Sequence, residues 1–330
     1  MSGMRVAFSG AVVMLVVLGL AGAARAGEGG HAMTAGRLRC EYLENPLGID
    51  ANPPRLSWIV ESGERGAKQT ACRILVASTP ENLTADQGDL WDSGKMDSSD
   101  SVLIPYAGRA LGSRQRCFWK VKVWDVHGNE GAWSTPAEWS MGLLEPADWQ
   151  GAYIGMDAGQ GDPQHPWLRK TFELNGSPAA ARVYVNPLGY YELYVNGEKV
   201  DDAPLSPAMT QFNRRSFYVT HDVTGYLRPG TNSIALWLGR GWYREGLPGV
   251  AYAGPLVRAQ LEAELADGAR VVVATDPTWK AHPSPLGSID VGHPGHYGGE
   301  RYDAGADIAA WAAPDFDAGG WPDAVAVEPV

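Results

Sequence analysis

Apolar positions recur every second residue through residues 182–243. Val183 and Val185 alternate with other neighbours, as do Tyr191, Leu193 and Val195, then Phe217 and Val219, then Ile234, Leu236 and Leu238. A period of two places one face of each segment on a core and leaves the other toward water, so the stretch predicts half-buried strands. Asn196-Gly197 sits between Val195 and Val200. Both residues of that pair tolerate positive φ, which a two-residue hairpin turn requires. Leu227-Arg228-Pro229-Gly230 supplies a second turn. The expectation is a set of antiparallel strands with one packed face.

The same grammar runs on both sides. Upstream, RLSWIV (55–60), QTACRILVAS (69–78) and CFWKVKVWDV (117–126) read as strands, with short turn-bounded pieces at 90–94 and 101–106. Trp133-Ser134 and Glu138–Met141 close that unit. Short strands at this spacing, with no helical periodicity between them, predict a fibronectin-III-like sandwich. Downstream, PLVRAQLEAEL and RVVVATDPTWKA flank Asp267-Gly268 and form a second hairpin. The pattern restarts around Pro146 and Gly151, which makes 144–155 the joint between two units.

Composition sharpens this picture in three places. Thirteen Trp and thirteen Tyr stand against six Phe. Rings with polar tips stack on sugars and also fill β-sandwich cores; for Trp58, Trp119, Trp124 and Trp133, placement inside strands favours core and corner packing. A net charge of −11 excludes a nucleic-acid footprint, which needs clustered cations. The N-terminus reads as an export signal: Arg5, an apolar run from Val6 to Leu20, and Ala24-Arg25-Ala26 as a cleavage site. An uncleaved anchor is the alternative, because the run approaches spanning length. Cys40, Cys72 and Cys117 lack zinc-type spacing; export permits one disulfide, and small buried thiols are the simpler reading.

Three segments carry a family resemblance. The ELYVNGEKV hairpin, the strand pair YVTHDVTGYLRPGTNSIALWLG and the GRGWYREG loop, in that order, resemble the N-terminal jelly-roll domain of bacterial α-L-rhamnosidases. RLSW, WDSGK and FWKVKVWDVHGNEGAWS are similar to the first domain of the same enzymes, and WAAPDFDAGGWPDAV resembles the tail of the jelly roll. The resemblance covers nearly all of 38–325. It implies an all-β chain of two consecutive antiparallel β-sandwiches, fibronectin-III-like and then galactose-binding-like jelly roll. The expected organisation is a signal peptide at 1–26, a linker at 27–37, a first sandwich at 38–145 and a jelly roll at 150–328. It implies L-rhamnose-containing glycans or related sugars as ligands. Some similar domains bind L-rhamnose with Ca2+, so a structural or sugar-bridging calcium is a further implied cofactor, with no ligand residue assigned. The family's catalytic (α/α) barrel lies downstream of these domains, and no segment here resembles it.

The chemistry agrees with a non-catalytic reading. Glycosidases use two positioned carboxyl groups. The candidates Glu192, Glu198, Asp201, Asp202, Asp222, Glu245, Glu300 and Asp303 fall mostly at strand ends and turns, and no Asp-Glu-Arg motif like that of the rhamnosidase barrel occurs. No GxSxG, Walker or HExxH signature occurs either. His293 and His296 with Glu300 and Asp303 suggest a metal only loosely, because HPGH lacks helical i, i+4 geometry. Binding is better supported. Loops at one end of a jelly roll converge, and 201–216, 239–254 and 288–303 are the richest. Asp202, Asn213, Arg240, Trp242 and Tyr243 offer the aromatic face and the planar polar groups that a sugar needs. A structural role for each remains open: Trp242 and Tyr243 packing an interface, and Arg240 pairing with Asp202 or Glu245. In the GRGWYREG loop, Gly239 and Gly241 are expected to turn the chain, with Trp242 structural and Arg240 facing the ligand. Three functions follow: an exported sugar-binding accessory portion of an α-L-rhamnosidase-like hydrolase, part of a truncated or split enzyme, or a structural module packing on a separate catalytic chain.

Overall fold

The computed structural model describes residues 33–161, 163, 165–243, 248, 250, 254–289 and 299–329. The export signal and most of the 27–37 stretch lie outside them, as do Arg244, Glu245, His293 and His296. No helix among the described residues is long and apolar enough to cross a membrane.

The first sandwich contains β1 (Thr34–Cys40), β2 (Arg55–Glu61), β3 (Ala71–Ala77), β4 (Trp91–Asp92), β5 (Ile104–Pro105), β6 (Arg116–Trp124) and β7 (Ala137–Ser140). They form a three-stranded sheet, β1-β2-β5, and a four-stranded sheet, β4-β3-β6-β7. The core between them takes the inward residues Leu56, Trp58, Ile74, Val76, Trp119, Val121 and Trp139, together with all three cysteines as free buried thiols. Burial pushes the Cys72 thiol up to about 11 and that of Cys117 up to about 12, as an apolar site disfavours thiolate. Trp58, Trp119 and Trp124 are buried. Trp133 instead packs at the surface under Arg73, Lys120 and Lys122.

Two details differ from expectation. β1 begins at Thr34, inside the stretch read as linker, because Thr34 and Ala35 pair with Glu61 and Val60 and Ala35 is buried. A short helix, Pro80–Thr84, also interrupts the strands. Its signal lay in the sequence: Thr79 caps it by accepting from the Asn82 N–H, and Pro80 occupies the first turn.

The second unit contains β8 (Ile154–Gly155), β9 (Pro166–Leu174), β10 (Pro178–Leu188), β11 (Tyr190–Val195), β12 (Glu198–Lys199), β13 (Val219–Asp222), β14 (Gly230–Gly239), β15 (Leu256–Leu265), β16 (Arg270–Ala274), β17 (Lys280–Pro283), β18 (Leu286–Ile289), β19 (Gly299–Tyr302) and β20 (Val325–Ala326). One sheet runs β13-β10-β15-β8-β20 with β16 on β15; its partner runs β12-β11-β14-β9-β17. All pairings are antiparallel. Val183, Val185, Leu193, Val195, Ile234, Leu236, Leu238, Val257 and Leu261 fill the space between the sheets, as the period-two pattern requires. Asn196 and Gly197 both have positive φ, 52° and 84°, and close the β11–β12 hairpin. At Asp267-Gly268 only Gly268 does, and the Asp267 carboxylate accepts from the Ala269 N–H, so that turn is of another type.

The second face of β14 is also buried. Ala235 lies under Trp311, Ala312 and Trp321 of the C-terminal segment, and Trp311 stacks on Trp167 at 4.7 Å. Ser233 donates to the Ala312 carbonyl at 2.7 Å. Arg169, buried in β9, donates to the carbonyls of Phe316 (3.1 Å) and Ala313 (2.7 Å).

The joint between the sandwiches is tightly bonded. Pro146–Asp148 forms one 3-10 turn. Arg114 of the first unit donates from Nε to Glu262 of β15 (2.6 Å) and from Nη1 to Asp148 (2.7 Å). The Leu143 N–H donates to the Tyr218 hydroxyl at 3.1 Å, and Trp149 packs edge-on against Tyr184 and Tyr218. Gly142 permits that approach: a Cβ there would stand 1.8 Å from the Tyr218 hydroxyl oxygen.

Candidate functional site

The site is built at the end of the β11–β14 pair. Tyr190 opens β11 and lies opposite Gly239, the last residue of β14. The chain then turns at Gly241, with φ +49°, and a Cβ there would come within 2.3 Å of the Tyr190 ring. Only glycine fits both the backbone angle and the space. Gly239 is an ordinary strand residue, so Gly241 alone makes the turn expected of both. The Tyr243 N–H donates to the Arg240 carbonyl at 2.9 Å and closes it.

This turn sends two consecutive aromatics in opposite directions. Tyr243 is 1% exposed. Its ring packs among Leu188, Leu256 and Phe212, meeting Phe212 edge-to-face at 5.2 Å. Trp242 is 37% exposed and walls a shallow cleft with Tyr190, Pro187, Met209, Phe212 and Phe217. The expected roles are therefore redistributed: Tyr243 is the structural member, buried beyond a ligand's reach, and Trp242 is the more exposed of the two.

The 207–217 segment forms the opposite wall. It is seated at Phe212 on Tyr243, and at its far end by buried Asn186, whose amide donates to Ser216 Oγ (3.0 Å) and to the Phe217 carbonyl (2.7 Å). Tyr153 in turn donates to Asn186 Oδ1. Phe217, expected to begin a strand, lies outside β13 and stands 44% exposed at the cleft. Asn186 was not visible as a site residue in the sequence; a buried amide within an otherwise apolar strand end is the feature that marks it.

Of the other predicted residues, Asp202 and Asn213 are exposed on the same loop and Arg240 is half-buried at the turn. None of the three lines the cleft, which they flank in sequence. Arg240 makes no ion pair among the described residues, so the pairing with Asp202 does not form; Glu245 lies outside them. Several candidate carboxylates serve turns and ion pairs. Asp201 accepts from the Ala203 N–H, Asp222 from Thr224 and Asp303 from Gly305. Glu192 accepts from Lys199 and Tyr194. Among the described residues no three His, Cys, Asp or Glu side chains converge as metal ligands.

Two stacked β-sandwiches, the second a jelly roll with an aromatic cleft at the end of one sheet, define an all-β, two-domain class of protein. Comparison places both units. Residues 35–145 match the family described as Rha78A-like, N-terminal immunoglobulin domain, and residues 176–329 match the α-L-rhamnosidase N-terminal domain. The chain belongs to the N-terminal, non-catalytic region of the α-L-rhamnosidase family. It is 32% identical over 308 residues to an α-L-rhamnosidase of Formosa agariphila, covering 84% of this chain and 32% of that protein. The chain thus spans about a third of the length of the curated relatives it matches. A solved α-L-rhamnosidase from Dictyoglomus thermophilum superposes with a TM-score of 0.81 at 33% identity, over 90% of this chain and 34% of the other. The Streptomyces avermitilis α-L-rhamnosidase, solved in complex with L-rhamnose, shares the fold with a TM-score of 0.78 at 24% identity, over 90% and 45% of the two chains.

Proposed function

We propose that this chain is the exported, carbohydrate-binding accessory portion of an α-L-rhamnosidase-like glycoside hydrolase, with the Trp242 cleft as its sugar-facing site. The observation that carries the reading is the pairing at residues 242–243: the buried ring of Tyr243 anchors the turn, and its neighbour Trp242 lines the cleft beside Tyr190 and Phe217 and is 37% exposed. A sugar ring packs its C–H face on such an indole, while polar groups at the rim take its hydroxyls. Asp202, Asn213 and Arg240, which flank the cleft in sequence without lining it, are the candidate partners for those hydroxyls. Rhamnose-containing glycans are the expected ligands, by analogy with the relatives. Export rests on the N-terminal charge and apolar run, which support a periplasmic or extracellular location.

The test is calorimetric titration of L-rhamnose into the purified protein, with calcium and then with a chelator. Binding at millimolar sugar that is weakened by Trp242→Ala supports the reading, and a calcium requirement adds the implied ion. No heat in either condition overturns it.

One observation favours a second reading. Met209 and Phe217 of the cleft lining stand 50% and 44% exposed, and Leu205, two residues before that wall in sequence, 71%, apolar surface that suits docking on a catalytic barrel domain. Such docking would appear as co-purification with that domain, unaffected by sugar.

A further inference from the structure

A buried polar chain underlies the loop that becomes the cleft wall. Tyr191 of β11 and His221 of β13 belong to different sheets of the jelly roll and meet between them. The Tyr191 hydroxyl and His221 Nε2 are 2.7 Å apart, and His221 Nδ1 lies 3.1 Å from Asp201 Oδ2. Both Tyr191 and His221 are buried. A carboxylate only accepts, so Nδ1 carries the proton toward Asp201, and Nε2 is left to accept from the tyrosine O–H. Asp201, at the head of the segment 201–206, is thus held against the buried pair. Pro207, Ala208 and Met209, the cleft wall, follow at once.

We propose that Tyr191 and His221 are positioning residues that clamp the head of the 201–206 loop at Asp201 and so set the wall of the cleft. The clamp needs a neutral imidazole. Its charged neighbour is Asp201 on the loop, its other titratable neighbour is Tyr191 on β11, and β10 presents Val183 opposite it. Burial holds the His221 pKa below its ordinary value, against the opposing pull of Asp201. Protonating Nε2 removes the acceptor for the tyrosine O–H, so that the Tyr191 hydroxyl must turn and the buried pair that holds Asp201 is disturbed. With the loop open the imidazole regains water and its ordinary pKa. The open form therefore binds the proton more readily, and acid favours opening. The proposal rests on the cleft reading for its consequence, but its test needs no ligand.

The experiment is hydrogen exchange of the full chain, read by mass spectrometry on peptides covering 201–210 and on reference peptides from β14 and β15. Rates are corrected for intrinsic chemistry between pH 8 and pH 4.5. At pH 8, Tyr191→Phe is expected to speed exchange of 201–210 about fivefold, the value of one net hydrogen bond, while the references stay unchanged. The unaltered protein should speed up at 201–210 toward pH 4.5, and His221→Gln should show no such pH dependence. Parent-like exchange in Tyr191→Phe, equal acceleration of all peptides, or a loop rate flat with pH in the unaltered protein would overturn the clamp. Should His221→Gln not fold, Tyr191→Phe and the unaltered protein decide alone. Rhamnose titration separates the two ideas: a clamp that passes while the sugar fails to bind leaves the clamp standing and removes the sugar reading.

Discussion

Truncating two adjacent aromatics, Trp242 and Tyr243, should have opposite consequences. Tyr243 is buried against Leu188, Leu256 and Phe212, so Tyr243→Ala opens a cavity with little room to collapse. Large-to-small changes at such sites cost about 3–5 kcal/mol. For a unit of this size each kcal/mol lowers the melting temperature by roughly 2–4 °C, which predicts a drop of roughly 6–20 °C. Trp242 already exposes more than a third of its surface, and Trp242→Ala should cost less than about 1 kcal/mol of stability, as surface changes do. If the indole is a sugar platform, the same change lowers affinity by about 1–3 kcal/mol, the burial of one aromatic face. The assays are a thermal melt by circular dichroism and calorimetric titration of L-rhamnose. A Trp242→Ala melt that falls as far as that of Tyr243→Ala would refute the division of labour read from the turn. Unchanged affinity with an unchanged melt would remove Trp242 from any sugar site.

Four further outcomes follow from the joint and the chemistry. Gly142→Ala should wedge the two sandwiches apart, because its methyl group collides with the Tyr218 hydroxyl; new proteolytic cleavage at 144–151, absent from the parent, is the readout. Arg114→Met should weaken the same joint by about 2 kcal/mol, since it removes charge-assisted bonds to Glu262 and Asp148. Burial raises the Asp148 carboxyl, but bonds from Ser113, the Glu145 N–H and Arg114 outweigh it and hold it at about 2. That depressed folded value makes its contribution present above pH 4 and lost as pH falls toward 2, so cleavage of the parent at the joint should begin only in that window. Release of nitrophenol from an aryl α-L-rhamnoside by the purified chain should equal the buffer blank; activity that survives repurification and disappears on changing one acid would overturn the non-catalytic reading.

The strands of the jelly roll were legible because each core position recurs at every second residue, and β11 and β14 follow that rule closely. The pattern failed where a strand is buried on both faces. Ala235 and Ser233 look like outward positions of β14, yet the C-terminal segment covers them, and its Trp311 and Trp321 come from far along the chain. The cleft was legible as a loop cluster, since Trp242 and the 207–217 segment do meet. The roles of Trp242 and Tyr243 were not, because they depend on the angle adopted by Gly241, which no spacing encodes. Tyr191 and His221 were hidden for a related reason: one reads as a core aromatic and the other as a strand histidine, and only the packing of two sheets brings them together.

The joint shows the same division at a larger scale. A Pro and a Gly between two restarting patterns read as a boundary between independent units. The bonding across it argues for coupled units instead. Arg114 reaches both the connecting turn and β15, and Glu262 also accepts from Gln260 and from Arg270 at the edge of the same sheet. β13, which leads from the Tyr218 seat to His221, pairs with β10, and β10 pairs with β15. A displacement of the first sandwich at Tyr218 would therefore be felt three residues along the chain, at the histidine that holds the loop of the cleft. If that coupling operates, Gly142→Ala should increase exchange of 201–210 as well as cleavage at the joint. A variant that opens the joint while leaving the loop at its parent rate would show that the sandwiches are fastened together but energetically separate.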